Sequence, residues 1–212
     1  MKFDEQTIAF LEDLARHNDR DWFQSQKGRY EAHVKAPTKA FVSAMTPLLA
    51  RRFGAPVTAK VFRINRDLRF SRDQAPYNTH IHIGFTDSAT GAAWMVGLET
   101  DRLVLGFGGF GFDATALERW RAAVAGPAGA RLARALARLQ ADGCRIDEPE
   151  LKRVPAPWPQ DHPNAGLLRR KSMTVWIDSP NPSDAFGEQA PTRIVAELAR
   201  LRPVRSWWAE QL

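Results

Sequence analysis

The chain has one cysteine, two tyrosines and no long apolar run among its 212 residues, and each scarcity excludes something. A single thiol, Cys144, forbids an internal disulfide, so the expected setting is the reducing cytoplasm. No segment nears the roughly 18 consecutive apolar residues of a membrane span, so no membrane partner is expected. The opening stretch MKFDEQTIAFLEDL lacks the continuous apolar core and small-residue cleavage site of a secretory leader. Charge is not gathered at either end. Basic residues outnumber acidic ones 10 to 7 over residues 1–62, match them 5 to 5 over 63–112 and exceed them 15 to 12 over 113–212. The net charge of +6 therefore forms no basic tail, and it supports nucleic-acid association only weakly.

What the chain does have is core material: 44% hydrophobic residues, with seven Trp and twelve Phe. That is enough side-chain area to offset chain entropy, and residues 1–212 are expected to form one domain. Ile8, Leu11 and Leu14 repeat at helical spacing, so a helix is predicted over residues 4–16, with Asn18 in a left-handed turn at its end. Asp21 then suits the cap of a second helix from Trp22 toward Phe53, in which Pro37 and Pro47 act as breaks or kinks. From Val57 the period changes. TAKVFRI, THIHIGF, AAWMVGLE and DRLVLGF read as four mostly antiparallel strands, the last two joined through Thr100 and Asp101. Helices follow from Asp113 to Ala125 and from Ala130 to Asp142, then a proline-rich stretch, a strand KSMTVWI and a closing helix opened by Pro191. The order predicts an α+β fold: N-terminal helices, a central mostly antiparallel sheet of about four to six strands, and C-terminal helices covering one face. Trp207 and Trp208 are expected in the core or at a dimer contact, and no pattern sets an oligomeric state.

The chemistry gathers between Arg63 and Tyr77, in RINRDLRFSRDQAPY. Arg63, Arg66, Arg69 and Arg72 recur at every third position, with Asp67 and Asp73 interleaved. A strand would throw these arginines alternately to opposite faces, whereas a three-residue turn would stack them on one side. Guanidinium groups carry permanent charge in a fork that suits phosphate or carboxylate. Asp67 and Asp73 can orient selected arginines, and Tyr77 can donate its hydroxyl to the same ligand. The competing reading is a self-contained ion network that pins a loop to the sheet.

Arg63, Arg66, Asp67, Arg69, Phe70, Asp73 and Tyr77 also resemble the signature of a bacterial family, domain of unknown function 2461. Its pattern is Arg, two residues, Arg-Asp, one residue, Arg-Phe, then Asp or Asn with Lys, and Tyr. The chain departs from it at Gln74, where the family usually has Lys, so no role needing a cation is expected there. NDRDWFQSQKGRY, LKRVP and DHPNAGLLRRKS are similar to other family segments, and the likeness covers most of the chain. The resemblance implies membership and no particular reaction.

GFGGFG, residues 106–111, satisfies a dinucleotide-binding spacing, but the second parallel strand that such a unit needs is replaced by a helical pattern. Gly108 and Gly109 keep a lesser use, as backbone that could frame an anion if this turn and the arginine loop meet at one end of the sheet. His80 and His82 share one strand face, with Asp73 or Asp87 as a conceivable third ligand, yet nothing in the spacing demands a metal. No cofactor is expected. The expected function is binding of an anionic, phosphate- or carboxylate-bearing small molecule through Arg63, Arg66, Asp67, Arg69, Asp73 and Tyr77. Two alternatives stand beside it: a nucleic-acid-associated or protein-interaction module with the loop as a structural network, and an enzyme acting on a phosphorylated substrate.

Overall fold

The structure is a computed structural model and describes residues 2–69 and 73–212. Asp4 starts α1 (Glu5–Arg16): its carboxylate accepts the Gln6 and Thr7 amides, and the Thr7 hydroxyl accepts the Asp4 amide in return. Phe10, Leu11 and Leu14 bury the apolar stripe of that helix. The helical run then continues as α2 (Arg20–Ser25), α3 (Lys27–Tyr30), a π-helical turn at Glu31–Lys35 and α4 (Ala36–Phe53). Two local expectations change here. Asp19 rather than Asp21 caps α2, and α1 ends at His17 without any left-handed residue, which leaves Asn18 for another task. Pro37 sits in the first turn of α4, where no amide donor is needed, and α4 runs through Pro47 until Gly54 turns the chain at φ +74°.

Among the described residues six strands follow: β1 (Val57–Val61), β2 (Ile81–Asp87), β3 (Ala93–Leu98), β4 (Leu103–Gly109), β5 (Arg145–Ile146) and β6 (Met173–Ser179). They form one sheet in the order β1-β2-β3-β4-β6-β5, with every adjacent pair antiparallel. The α+β class and the antiparallel sheet agree with the sequence reading, while β5, only two residues long, carried too short a pattern to be seen. Helices α5 (Ala114–Ala125), α6 (Pro127–Ala141), α7 (Ala165–Leu168), α8 (Ala190–Leu198) and α9 (Arg202–Gln211) complete the chain. The helix after Gly126 begins at Pro127, three residues earlier than expected, because proline is well tolerated in a first helical turn.

Alternation along the strands sends Ile83, Phe85, Trp94, Val96, Leu105 and Phe107 to the helix-covered face, where all are buried. Trp94 stacks between Phe53 of α4 and Phe107, at 4.0 and 4.4 Å between ring centres. Trp207 and Trp208 are buried in the same cluster, and the Trp207 indole donates to the Ala128 carbonyl, so they are core residues. A buried ion pair ties the far end of β2 to α9: Arg205 donates to both oxygens of the fully buried Asp87.

The other face of the sheet carries partly exposed side chains, including His82, Met95 and Trp176. Gly97 lies opposite His82, and a Cβ there would stand 3.0 Å from the imidazole. Its missing side chain lets the His82 ring lie flat on β3.

Candidate functional site

The sheet edge at β1 builds the site. Beyond Val61 the chain leaves the strand and returns at Ile81, and the two arms of this excursion stay zipped together. The Phe62 amide donates to the His82 carbonyl at 2.9 Å, Asn78 to Ile64 at 2.6 Å and Arg66 to Pro76 at 2.9 Å. Asn65 and Tyr77 form an isolated antiparallel bridge, and the Asn78 side chain donates to the Arg63 carbonyl. The described arms are therefore an ordered loop after the first strand, built as a frayed continuation of the β1–β2 hairpin.

Asn18 holds this excursion to the helical layer. Its amide oxygen accepts the Tyr77 N–H at 3.0 Å and its amide nitrogen donates to the Tyr77 carbonyl at 2.9 Å, so one side chain imitates a strand partner. The Tyr77 ring is buried and stacks on Phe23 at 4.1 Å. Tyr77 thus anchors the base of the loop instead of reaching a ligand.

The two aspartates split the arginines. Asp73 accepts from Arg66 at 2.6 Å and from the Ala75 amide, and Arg66 also donates to the Ala75 carbonyl at 3.1 Å. Asp67 accepts from the Arg69 backbone amide and from its guanidinium, at 2.6 Å for the closest contact. These bonds hold both carboxyls below the usual carboxylate range: the Arg69 guanidinium is the leading cause for Asp67, the Ala75 amide for Asp73. Arg72 and Phe70 lie outside the described residues.

What remains is a cleft of about 590 Å³ on the partly exposed sheet face, lined by Lys60, Phe62, Arg63, Asn65, Arg66, Asp67, Asn78, His80 and His82. Arg63 is exposed, and among the described residues its guanidinium has no hydrogen-bond or ion-pair partner. Lys60 stands 5.2 Å over the Phe62 ring, which projects half-exposed beside it. His80 stacks on His82 with 3.8 Å between ring centres, and Glu99 approaches His82 at 3.8 Å. Burial lowers both histidine pKa values, helped at His80 by the charge of His82 and opposed by Glu99. Near neutral pH both rings are therefore uncharged, and the permanent charge of the cleft comes from Lys60, Arg63 and Arg66 against Asp67.

Arg63, Arg66 and Asp67 all line this cleft. Arg69, Asp73 and Tyr77 do not line it. Gly108 and Gly109 lie at the opposite end of the sheet, because β1 and β4 run antiparallel and their C-terminal ends point apart. Both glycines belong to β4 rather than to a turn. At Gly108, φ +154°, a Cβ would stand 2.0 Å from the Met173 carbonyl, so this glycine permits close pairing with β6 and does not meet the arginine loop. Lys60, Asn65, Asn78 and the two histidines are additions to the site. Period-two alternation from Lys60 to Phe62, continued across the strand pair to Asn78, His80 and His82, is the signal that marks all of them but Asn65. Asp73 and Asp87 do not join the histidines: one is bonded to Arg66, the other buried against Arg205 at the far sheet end. Among the described residues no group of three metal-ligating side chains comes together.

Residues 6–207 match the family model described as conserved hypothetical protein (DUF2461). The chain belongs to that family. The match spans nearly the whole chain of this DUF2461 member, from within α1 to within α9. Comparison with curated proteins gives no match. Among the described residues no helix is long and apolar enough to cross a membrane.

Proposed function

We propose that this DUF2461 protein is a cytoplasmic, one-domain binding protein whose basic cleft takes an anionic small molecule carrying phosphate or carboxylate. The observation that carries this reading is the exposed Arg63 guanidinium, without a partner among the described residues, facing a cleft it shares with Lys60, Arg66, His80 and His82. A cation in a purely structural network is consumed by its partners; Arg63 is left available to an oxyanion. Asn65 and Asn78 supply neutral donors at the same rim. The Asp67–Arg69 pair favours a second, structural role for that part of the loop, namely holding its shape.

The test is a titration of purified protein with inorganic phosphate or sulfate at low ionic strength, read by calorimetry and by melting temperature. Saturable binding of one anion per chain, lost in Arg63→Ala, is the expected result. No binding in the wild type would overturn the reading. Tight, steeply salt-dependent binding of a single-stranded oligonucleotide without saturable phosphate binding would replace it with the nucleic-acid alternative.

A further inference from the structure

A second recess adjoins the basic cleft across the end of β1. It encloses about 400 Å³ between the helical layer and the sheet edge. Its walls are apolar: Val34 and Val42 on the helical side, Val61, Phe62, Ile64 and Ile81 on the strand side. Val61 points toward the helices by its pairing with Ile83, yet it is 46% exposed, because the helical layer does not close over this corner; Phe62, on the cleft side of the strand, is also 46% exposed. Exposed large apolar side chains carry a solvation cost, and two adjacent ones at the mouth of a recess mark a surface fit for an apolar occupant.

The recess and the cleft share Val61, Phe62, Arg63 and His80, so they form one continuous surface that changes from apolar to cationic at Arg63. Lys39 adds positive charge at the rim of the apolar part, where Lys35 stands paired with Glu31 at 2.8 Å. The π-helical turn Glu31–Lys35 shapes its floor: it supplies Val34, while Thr7 and Thr38 hydroxyls bind the His33 and Val34 carbonyls, both at 2.7 Å. Such turns are rare and recur at functional sites.

We propose that the ligand is a single-chain anionic amphiphile, with its phosphate or carboxylate head at Arg63 in the cleft and its alkyl chain in the recess. The head-group part rests on the anion-binding reading above; the chain part is new. A monomer fits better than a membrane surface, since the apolar residues line a hollow and do not protrude as a patch. Both ends of the molecule would then meet complementary chemistry, apolar wall against methylenes and guanidinium against oxyanion.

The experiment compares inorganic phosphate with butyl, hexyl, octyl and decyl phosphate, each below its micelle-forming concentration, binding to the full chain. Affinity is expected to rise by roughly fourfold for each methylene buried until the recess is filled. Val42→Asn, in the wall of the recess and outside the cleft, is expected to remove the chain-length dependence while leaving inorganic phosphate binding intact. Arg63→Ala is expected to weaken every member of the series. Equal affinity for phosphate and all four alkyl phosphates overturns the amphiphile and leaves the anion site standing. Binding of neither phosphate nor alkyl phosphates overturns both. Decanol binding as tightly as decyl phosphate, or binding to anionic vesicles without binding to monomers, also overturns the proposal. The chain-length series uses wild-type protein, so it decides the matter even if Val42→Asn fails to fold.

Discussion

Replacing Arg63 with alanine separates a ligand site from a structural clamp, and the structure sets both magnitudes. The Arg63 side chain is exposed and makes no hydrogen bond or ion pair among the described residues, while its backbone carbonyl keeps the bond from Asn78 after truncation. The cost to folding should stay within about 0.5 kcal/mol, as for surface positions away from special features. A hydrogen bond to a charged group is worth about 1.5–3 kcal/mol, so phosphate affinity should fall by roughly ten- to 150-fold. Denaturant unfolding gives the first quantity and calorimetric titration at low ionic strength gives the second. Arg66→Ala provides the contrast, because it removes the bonds to Asp73 and the Ala75 carbonyl and should loosen the loop as well as weaken binding. The reasoning fails if Arg63→Ala shifts the unfolding midpoint strongly while phosphate affinity is unchanged.

Three further outcomes follow from the geometry. His80 and His82 have pKa values below their ordinary value, so the unfolded chain takes up protons first on acidification; stability should fall as pH drops from about 6.5 through the lowered values. Sulfate, whose charge is fixed over that range, should bind more tightly at pH 5.5 than at 7.5 and offset the loss, as melting curves at both pH values would reveal; equal sulfate affinity would place the histidines away from the anion. Asp87→Asn should cost about 3–5 kcal/mol in denaturant unfolding by leaving Arg205 uncompensated, with phosphate affinity unchanged because Asp87 sits at the far sheet end. Gly108→Ala should destabilise by about 3 kcal/mol or more through the contact with the Met173 carbonyl, and normal stability with weakened phosphate binding would point instead to an anion role for that glycine.

Legibility in the sequence followed the range of the interactions. The α+β order and the main strands rest on local period and capping, and Asp113 caps α5 where the local pattern places it. The concentration of charge around Arg63 was equally visible, being contiguous in the chain. Its shape was not. Three-residue spacing suggests an ordered loop with a three-residue repeat when read alone, and only the cross-strand bonds from Asn65 and Arg66 to Tyr77 and Pro76 show its described arms as a hairpin extension. Asn18 reads locally as a turn residue, and only tertiary contact with Tyr77, 59 positions away, reveals its role. The glycine turn and the arginine loop each follow a strand, yet the antiparallel order sends them to opposite ends. The apolar recess beside the cleft depends on a π-helical turn and an uncovered sheet corner, neither of which leaves a local periodic trace.

The central claim is that an oxyanion sits at Arg63, and a crystal structure of the wild-type protein grown or soaked with phosphate tests it most directly. The account predicts one phosphate within hydrogen-bond distance of the Arg63 guanidinium, with donors from Lys60 or Arg66 and the Asn78 side chain around it. A cleft without phosphate in crystals of protein that binds phosphate in solution, with the anion held elsewhere on the molecule, would contradict it.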